Sequence, residues 1–565
     1  MAHSWFDNHR ALLDHAQAAI ACRTHWSPYA ENPRSYGEMA LEDGLAAFEA
    51  YRHAQFYLDQ PGVDGRCGGE VSPYGLPLNV SYPRCSPEGL IAAAKVAMLP
   101  WVRAGIETRT GVCLEVLARL NAGSAEMAYA LMHTTGQSLG LAFLTGGPRA
   151  QARGLEALAW AYRMMTQIPA QATWQRNISQ RLEKRYMVAP LGVSLVIGCA
   201  TQPTWHAYPA IFASLSTGNP VIVKPLPTAV LPLALTVAIT RQVLKESGFD
   251  SNLITLLVGD PDDTPVLRDI ARRPDIRLID YAGAPDMGDW LRANARQARL
   301  FLETGGVNCV LVDSSYDYKA LLKNLVLSLC LDSGQLRTTP RVIFVSREGI
   351  ETPDGLVDPE QFGRDLAMAL GKFVAEPARA AEVLGAIQSP ATVARIAAVS
   401  ELAEATAEIL RPSATLAHPQ WPAARMHTPL LLGASAEQRE FFMEERFGPI
   451  AIVVTTANTA TSLALAESTM RDKGALNFLV HATRPHVQQF AEDVALRAGV
   501  SLSLNLTGAA LINQPAGFSD FHASGANPAA SCSMIDAAFV ANRFYFSQVQ
   551  QHYLPPSSID WLVDQ

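Results

Sequence analysis

From Gly192 onward the chain repeats one short unit: a continuous apolar run, then a segment with helical spacing. "GVSLVIGCAT" is followed by a helical stretch, "PVIVKP" by another, and "ITLLVGD" and "IRLIDYAG" extend the series. Runs that are apolar throughout, rather than alternating, belong to strands covered on both faces, and their alternation with helices requires a parallel sheet between two helical layers. A doubly wound domain of this kind takes its ligand at the carboxyl ends of the strands. A second β/α series starts near "GVNCVLVD" and continues through "RVIFVS", "GPIAIVVTT" and "LNFLVHAT". Two α/β units point to an enzyme with one domain for a cofactor and one for a substrate.

The first ~170 residues read differently. "GLIAAAKVAMLPWVRAGI" and "GVCLEVLARLNAGSAEMAYALMH" carry apolar residues at three- and four-residue spacing, which is helical, and "QPGVDGRCGGEVSPYG" reads as a long loop. Of the 565 residues, 49% are hydrophobic and 17% charged, a globular balance. A net charge of −8 with no long basic run argues against nucleic acid as a partner. The longest apolar stretch, near "AVLPLALTVAIT", is too short for a bilayer and holds a proline. Charges near the start leave no place for a signal sequence, and the eight cysteines are scattered. Both suggest a cytoplasmic protein with reduced thiols and no membrane contact.

Several short stretches place reactive side chains at strand ends. "TGNPVIVKP" ends a strand on Lys224, whose ammonium can reach ribose hydroxyls at the sheet's carboxyl edge. "YAGAPDMGDW" sets Gly283 and Gly288 at a strand-to-helix turn, where a helix N-terminus favours phosphate. "FLETGGVN" carries Glu303 before two glycines, "EERFGP" carries Glu445 and Phe447, and "IGCATQPTW" carries Thr201, with His206 next. "LDSGQLRTTPRV" is built like a nucleophile loop but has Arg337 at its centre.

In this order and spacing these motifs, with "HTTGQ" and "FSDFHASGANPAA", resemble the aldehyde dehydrogenase superfamily, and within it the PaaN group of phenylacetic acid degradation. The resemblance implies a dinucleotide-binding domain over 192–304 and an α/β catalytic-type domain over 305–525. It further implies a helical region over 1–170 packing on the cofactor domain, an oligomerisation hairpin over 171–191 and a tail over 526–565. It implies NAD or NADP held by Lys224, Gly283, Gly288, Glu445 and Phe447. Pro227 stands where relatives have a ribose-binding glutamate, which leans towards NADP, and Ala284 replaces a usual serine. Glu303 corresponds to the general base, Thr201 to an oxyanion donor that is commonly asparagine, and His206 to the wall of the substrate tunnel. No metal is implied. The hairpin implies a homodimer or a dimer of dimers.

Arg337 falls on the catalytic cysteine of that pattern. A guanidinium is not a nucleophile and stays protonated, so thiol-based aldehyde oxidation is not expected. Cys330 lies upstream on the preceding helix, and Cys199 reads as a buried apolar thiol. Arg337 needs a partner or an exit to water. A bidentate pair with Glu303 satisfies that, as does binding an anionic group or polarising a carbonyl. The function classes are then an NAD(P)-dependent oxidoreductase acting non-covalently on a small carbonyl or imine, a silent assembly partner on the same fold, or a semialdehyde dehydrogenase of phenylacetate catabolism with a Cys-to-Arg change.

Overall fold

A computed structural model describes residues 2–177, 180–260, 264–509, 517–518, 524–527, 529–530 and 534–552. Its first α/β unit is a five-stranded sheet in the order Ile254–Leu256, Val221–Lys224, Val193–Ile197, Ile276–Gly283, Arg299–Thr304, parallel throughout. Every residue of Val193–Ile197 and Val221–Lys224 is buried, the reason these strands read as unbroken apolar runs. The chain builds outward on one side of Val193–Ile197, then returns to build on the other. The switch therefore falls between Val193–Ile197 and Ile276–Gly283, and a crevice opens beyond their carboxyl ends.

The second unit is a seven-stranded sheet in the order Glu408–Arg411, Leu430–Ser435, Ile450–Thr456, Val342–Ser346, Cys309–Val312, Asn477–His481, Ser501–Leu504, antiparallel only at the first pair. The chain passes from Thr304, at the carboxyl end of one sheet, through four residues to Cys309, at the amino end of an inner strand of the other. That short passage brings the carboxyl edge of the first sheet against the amino edge of the second.

The amino-terminal region is helical, from Ala2–Cys22 to Pro148–Thr166, with one departure from the sequence reading. "QPGVDGRCGGEVSPYG" is not wholly loop: Val63–Gly68 is a strand paired antiparallel with Ser81–Cys85. Gly68 is needed there, because a side chain would run into the Val80 carbonyl. Helix Pro148–Thr166 packs on helix Pro203–Ser216 of the first unit. Gly154 lets the Phe212 ring approach; an added Cβ would lie 2.8 Å from it.

The segment read as a hairpin is two strands of three. Gln171–Asn177 and Gln180–Pro190 are joined by Phe544–His552 on the other side of Gln180–Pro190, so the stretch read as a tail contributes a strand. Just before that strand, Arg543 forms a buried bidentate pair with Asp280 at 2.8 and 2.6 Å, between the rings of Phe301 and Phe539. Within "FSDFHASGANPAA", residues 519–523 and 528 lie outside the described residues. Among the described residues no single helix is long and apolar enough to cross a membrane.

Candidate active site

The loop carrying Arg337 begins where helix Tyr318–Cys330 stops. Asp332, Ser333 and Gly334 follow in the left-handed region, with φ of 53°, 50° and 63°. For the two non-glycine residues this costs about 1–2 kcal/mol each, so the turn must be held from outside. Ser333 Oγ donates to the Leu384 carbonyl at 3.0 Å, Gln335 Nε2 donates to Ala386 O at 3.3 Å, and Gln335 Oε1 accepts from Gln388 N at 2.8 Å. The Ser-Gly-Gln triplet is thus a clamp. Gly334 allows the backbone to pass Gly448, whose carbonyl oxygen would lie 2.5 Å from an added Cβ.

Past the clamp, Asn308 fixes the main chain of Arg337. Its Nδ2 donates to Arg337 O at 2.5 Å and Thr339 O at 3.1 Å, while its Oδ1 accepts from Leu476 N at 2.9 Å. Asn308 is fully buried and was missed in the sequence, although it closes the "FLETGGVN" motif. The signal was there: a buried amide with two donors and an acceptor suits a junction of three loops.

Arg337, Glu303 and His206 do come together, but not as a bidentate pair. Arg337 Nη1 donates to the main-chain carbonyl of Glu303 and stands 3.8 Å from its Oε2. The Glu303 carboxylate is turned to His206 instead, with Oε2 2.6 Å from Nδ1. The carboxylate is off the line of a good hydrogen bond, so the contact is mainly electrostatic. Burial alone would raise the Glu303 carboxyl; His206, Arg153 and Arg337 outweigh it and hold it at about 2. Burial lowers His206 to about 4, against the upward pull of Glu303 and with Arg337 and Arg153 adding to the fall. At neutral pH the arrangement is a carboxylate beside a neutral imidazole.

Arg153, on helix Pro148–Thr166, was also missed. It is nearly buried, and its guanidinium lies 4.5 Å from the centre of the Trp205 ring. Thr201 and Cys199 sit beyond the end of strand Val193–Ile197, 4.0 Å apart at Oγ1 and Sγ, and Cys199 Sγ accepts from Gln202 N at 3.2 Å. Burial raises the Cys199 thiol, with Arg337 acting in the opposite direction. Cys330 is fully buried at its helix end and raised by burial to about 12. Neither thiol is activated.

Lys224 ends its strand nearly enclosed, and Nζ donates to Pro225 O at 3.3 Å. Gly283 and Gly288 are packing glycines here. A Cβ on Gly283 would collide with the Tyr281 hydroxyl, which donates to Ala284 O at 2.9 Å, and one on Gly288 would come 2.6 Å from Thr304 Cγ2. The turn expected at Gly283 is there, ending strand Ile276–Gly283 just before helix Pro285–Asn294, and its missing side chain makes room for Tyr281. What faces the crevice is the start of helix Pro285–Asn294, where Ala284 supplies no side-chain cap.

Glu445 lies on the far side of the cleft with its carboxylate packed on Gly305, where a Cβ would collide with it. Burial raises this carboxyl, while Arg341 and Arg337 act the other way. The Phe447 ring is 5.4 Å from the guanidinium of buried Arg341, and Phe447 O accepts from Arg395 Nη1 at 2.9 Å. A strand-end ammonium, an uncapped helix start and a carboxylate in a glycine cradle fit a dinucleotide. Among the described residues no cluster of His, Cys, Asp and Glu could hold a metal ion.

Two parallel α/β sheets meeting edge to edge over such a cleft define a protein of the dehydrogenase type. Residues 86–517 match the model of the aldehyde dehydrogenase family, and the chain belongs to that family. It is similar to an NAD-dependent aldehyde dehydrogenase from Burkholderia multivorans, with 47% identity, a TM-score of 0.95, and coverage of 98% of this chain and 100% of the other. A 1-pyrroline-5-carboxylate dehydrogenase from Thermus with bound NAD shares the fold at 18% identity and a TM-score of 0.71, covering 91% and 97% of the two chains. The 1-pyrroline-5-carboxylate dehydrogenase of Bacillus cytotoxicus is 23% identical over 354 residues, 60% of this chain and 63% of that relative's length.

Proposed function

We propose that this protein is a PaaN-like, NAD- or NADP-dependent oxidoreductase that acts on a small carbonyl compound without a covalent thiol intermediate. The observation that carries the reading is Arg337. A guanidinium stands in the cleft on a loop clamped by Ser333, Gln335 and Asn308, and only Nη1 is committed, to Glu303. The similarity at 47% identity to a protein described as NAD-dependent supports the cofactor class. The domain division follows, with 192–304 for cofactor and 305–525 for substrate.

Lys224 and the start of helix Pro285–Asn294 would hold the dinucleotide's ribose and phosphate, and Glu445 with Phe447 its nicotinamide end. A bound nicotinamide dinucleotide supplies the hydride donor or acceptor. Arg337 binds and polarises the substrate oxygen through its free N–H groups, with Thr201 as a second donor near the helix start. Assembly as a homodimer or dimer of dimers is supported by the outer strand Gln171–Asn177, which leaves an unpaired edge carrying exposed Trp174.

Thermal shift with each nucleotide, followed by NAD(P)-linked turnover of phenylacetaldehyde and benzyl alcohol, tests the reading. A nucleotide at 100 times its dissociation constant stabilises by about 2.7 kcal/mol. No shift with either overturns the reading in favour of a silent assembly partner.

A further inference from the structure

Without a thiol, interconverting a hydroxyl and a carbonyl still requires one proton to move at the substrate oxygen. Among the described residues, few groups at the cleft can do this. Arg337 does not release a proton. The Tyr281 phenol is raised by burial and committed to Ala284 O, and the Cys199 thiol is raised by burial and accepts from Gln202 N. Glu303, held at about 2, is too weak a base alone. His206 remains.

Resting on the non-covalent reading above, we propose that His206 and Glu303 form one proton-transfer dyad. His206 Nε2 exchanges the proton of the substrate oxygen that Arg337 polarises, and Glu303 holds the other ring nitrogen. The geometry is specific to the two nitrogens. Nδ1 is enclosed and lies 2.6 Å from Glu303 Oε2, which leaves Nε2 as the ring nitrogen that Glu303 does not hold. A carboxylate at Nδ1 favours the tautomer with its proton there and leaves the Nε2 lone pair for exchange.

The charged and titratable groups around the imidazole come from four elements. Glu303 is on strand Arg299–Thr304, Arg337 on the clamped loop and Arg153 on helix Pro148–Thr166. Asp280 and Tyr281, on strand Ile276–Gly283, share with His206 and Glu303 a cavity of about 20 Å³, enough for one water. Two cations and burial keep the resting imidazole neutral, so it is set to accept a proton rather than to give one. The dyad therefore acts as the base in oxidation of a hydroxyl, with reduction as the reverse.

In that direction the carbinol C–H bond breaks and carries both its electrons to the oxidised nicotinamide dinucleotide. The O–H electrons form the second C–O bond, and the proton goes to His206 Nε2. The imidazolium so made faces the Glu303 carboxylate, which offsets the charge that burial opposes. Glu303 is then a positioning residue, and its family role as the base on water is replaced.

The test uses the full chain with Glu303→Gln and His206→Asn. In the cofactor-free protein, NMR titration should place the His206 imidazole well below 6.5, and Glu303→Gln should lower it further. With NAD or NADP and benzyl alcohol, His206→Asn should lower kcat by about 100-fold with nucleotide affinity unchanged. A titration unmoved by Glu303→Gln, or a kcat unmoved by His206→Asn, overturns the dyad and leaves the proposed function standing. Absence of both benzyl alcohol oxidation and phenylacetaldehyde reduction in the natural protein overturns both.

Discussion

Arg337 reaches Glu303 at its peptide and not at its carboxylate: Nη1 donates to the Glu303 carbonyl oxygen and stands 3.8 Å from Oε2. A bidentate pair would have closed the site by neutralising both groups. This arrangement instead leaves the carboxylate to His206, with Oε2 2.6 Å from Nδ1. On the proposed function, the cation serves a substrate oxygen and the carboxylate a proton carrier.

Arg337→Cys should create thiol-dependent aldehyde oxidation. The clamp by Ser333, Gln335 and Asn308 acts on the backbone and survives the change, so a thiol would appear on a preformed loop. Losing the guanidinium also removes a charge that lowers His206. The natural protein should show no thiol-dependent aldehyde oxidation. The variant should gain NAD(P)-linked oxidation of an aromatic aldehyde, or ester hydrolysis, by roughly tenfold or more over background. Activity in the natural protein that Cys199→Ala abolishes would mean that the nucleophile had moved.

Asp332→Asn should stabilise the protein at neutral pH. The Asp332 carboxyl is buried, has no well-formed hydrogen bond, and lies near the Gln137 side chain; burial raises it far above the ordinary carboxylate range. A raised folded value means that stability is full below the unfolded value of about 3.9 and is lost as pH rises. Asparagine keeps the shape, tolerates φ of 53°, and cannot ionise. Melting temperatures at pH 4 and pH 8 decide it: the gain should be several degrees at pH 8 and small at pH 4. Equal shifts at both would show that ionisation is not the cause.

Both parallel sheets were legible because strands such as Val193–Ile197 are buried on both faces and read as apolar runs. The meeting of Glu303 with the Arg337 loop was legible for a related reason, since a strand end and a motif loop fix the backbone. The rotamer was not, because Glu303 answers to His206 on a helix distant in sequence. Strand Val63–Gly68 was hidden by glycines whose conformation is decided by pairing with Ser81–Cys85. Gly283 was visible as a turn glycine, but the close approach of the Tyr281 hydroxyl to it was not.

Removing one side of the Asp280–Arg543 pair should be among the most damaging changes in the chain. Arg543 is fully enclosed, also donates to Ser214 Oγ at 3.0 Å, and lies between two aromatic rings. Stranding Asp280 without its partner should cost about 3–5 kcal/mol. Arg543→Ala should lower the unfolding free energy measured in urea by that amount and release strand Phe544–His552, seen as faster hydrogen exchange in Gln180–Pro190. Arg543→Met with Asp280→Leu should recover part of the loss. A midpoint unchanged by Arg543→Ala would show that the strand is anchored elsewhere.

Acid should weaken the fold well before carboxylates titrate. His133, His206 and His481 are each lowered to about 4, mainly by burial. A depressed histidine is protonated in the unfolded chain first, so its stabilisation is full above 6.5 and is lost as pH falls towards 4. The loss approaches roughly 3 kcal/mol for each. His133 separates this effect from the active site: it stacks on Phe48 at 4.8 Å, meets Trp421 edge-on at 5.3 Å, and among the described residues has Ser72 Oγ as its polar partner, at 3.0 Å. His133→Phe keeps the stack and removes the titration. Urea midpoints at pH 7.5 and 5 should fall steeply for the natural protein and less steeply for His133→Phe, whose stability at pH 7.5 should be a little lower because Ser72 Oγ keeps only the Tyr74 N–H of its two partners. Parallel losses in the two proteins would mean that His133 is not held neutral by the fold.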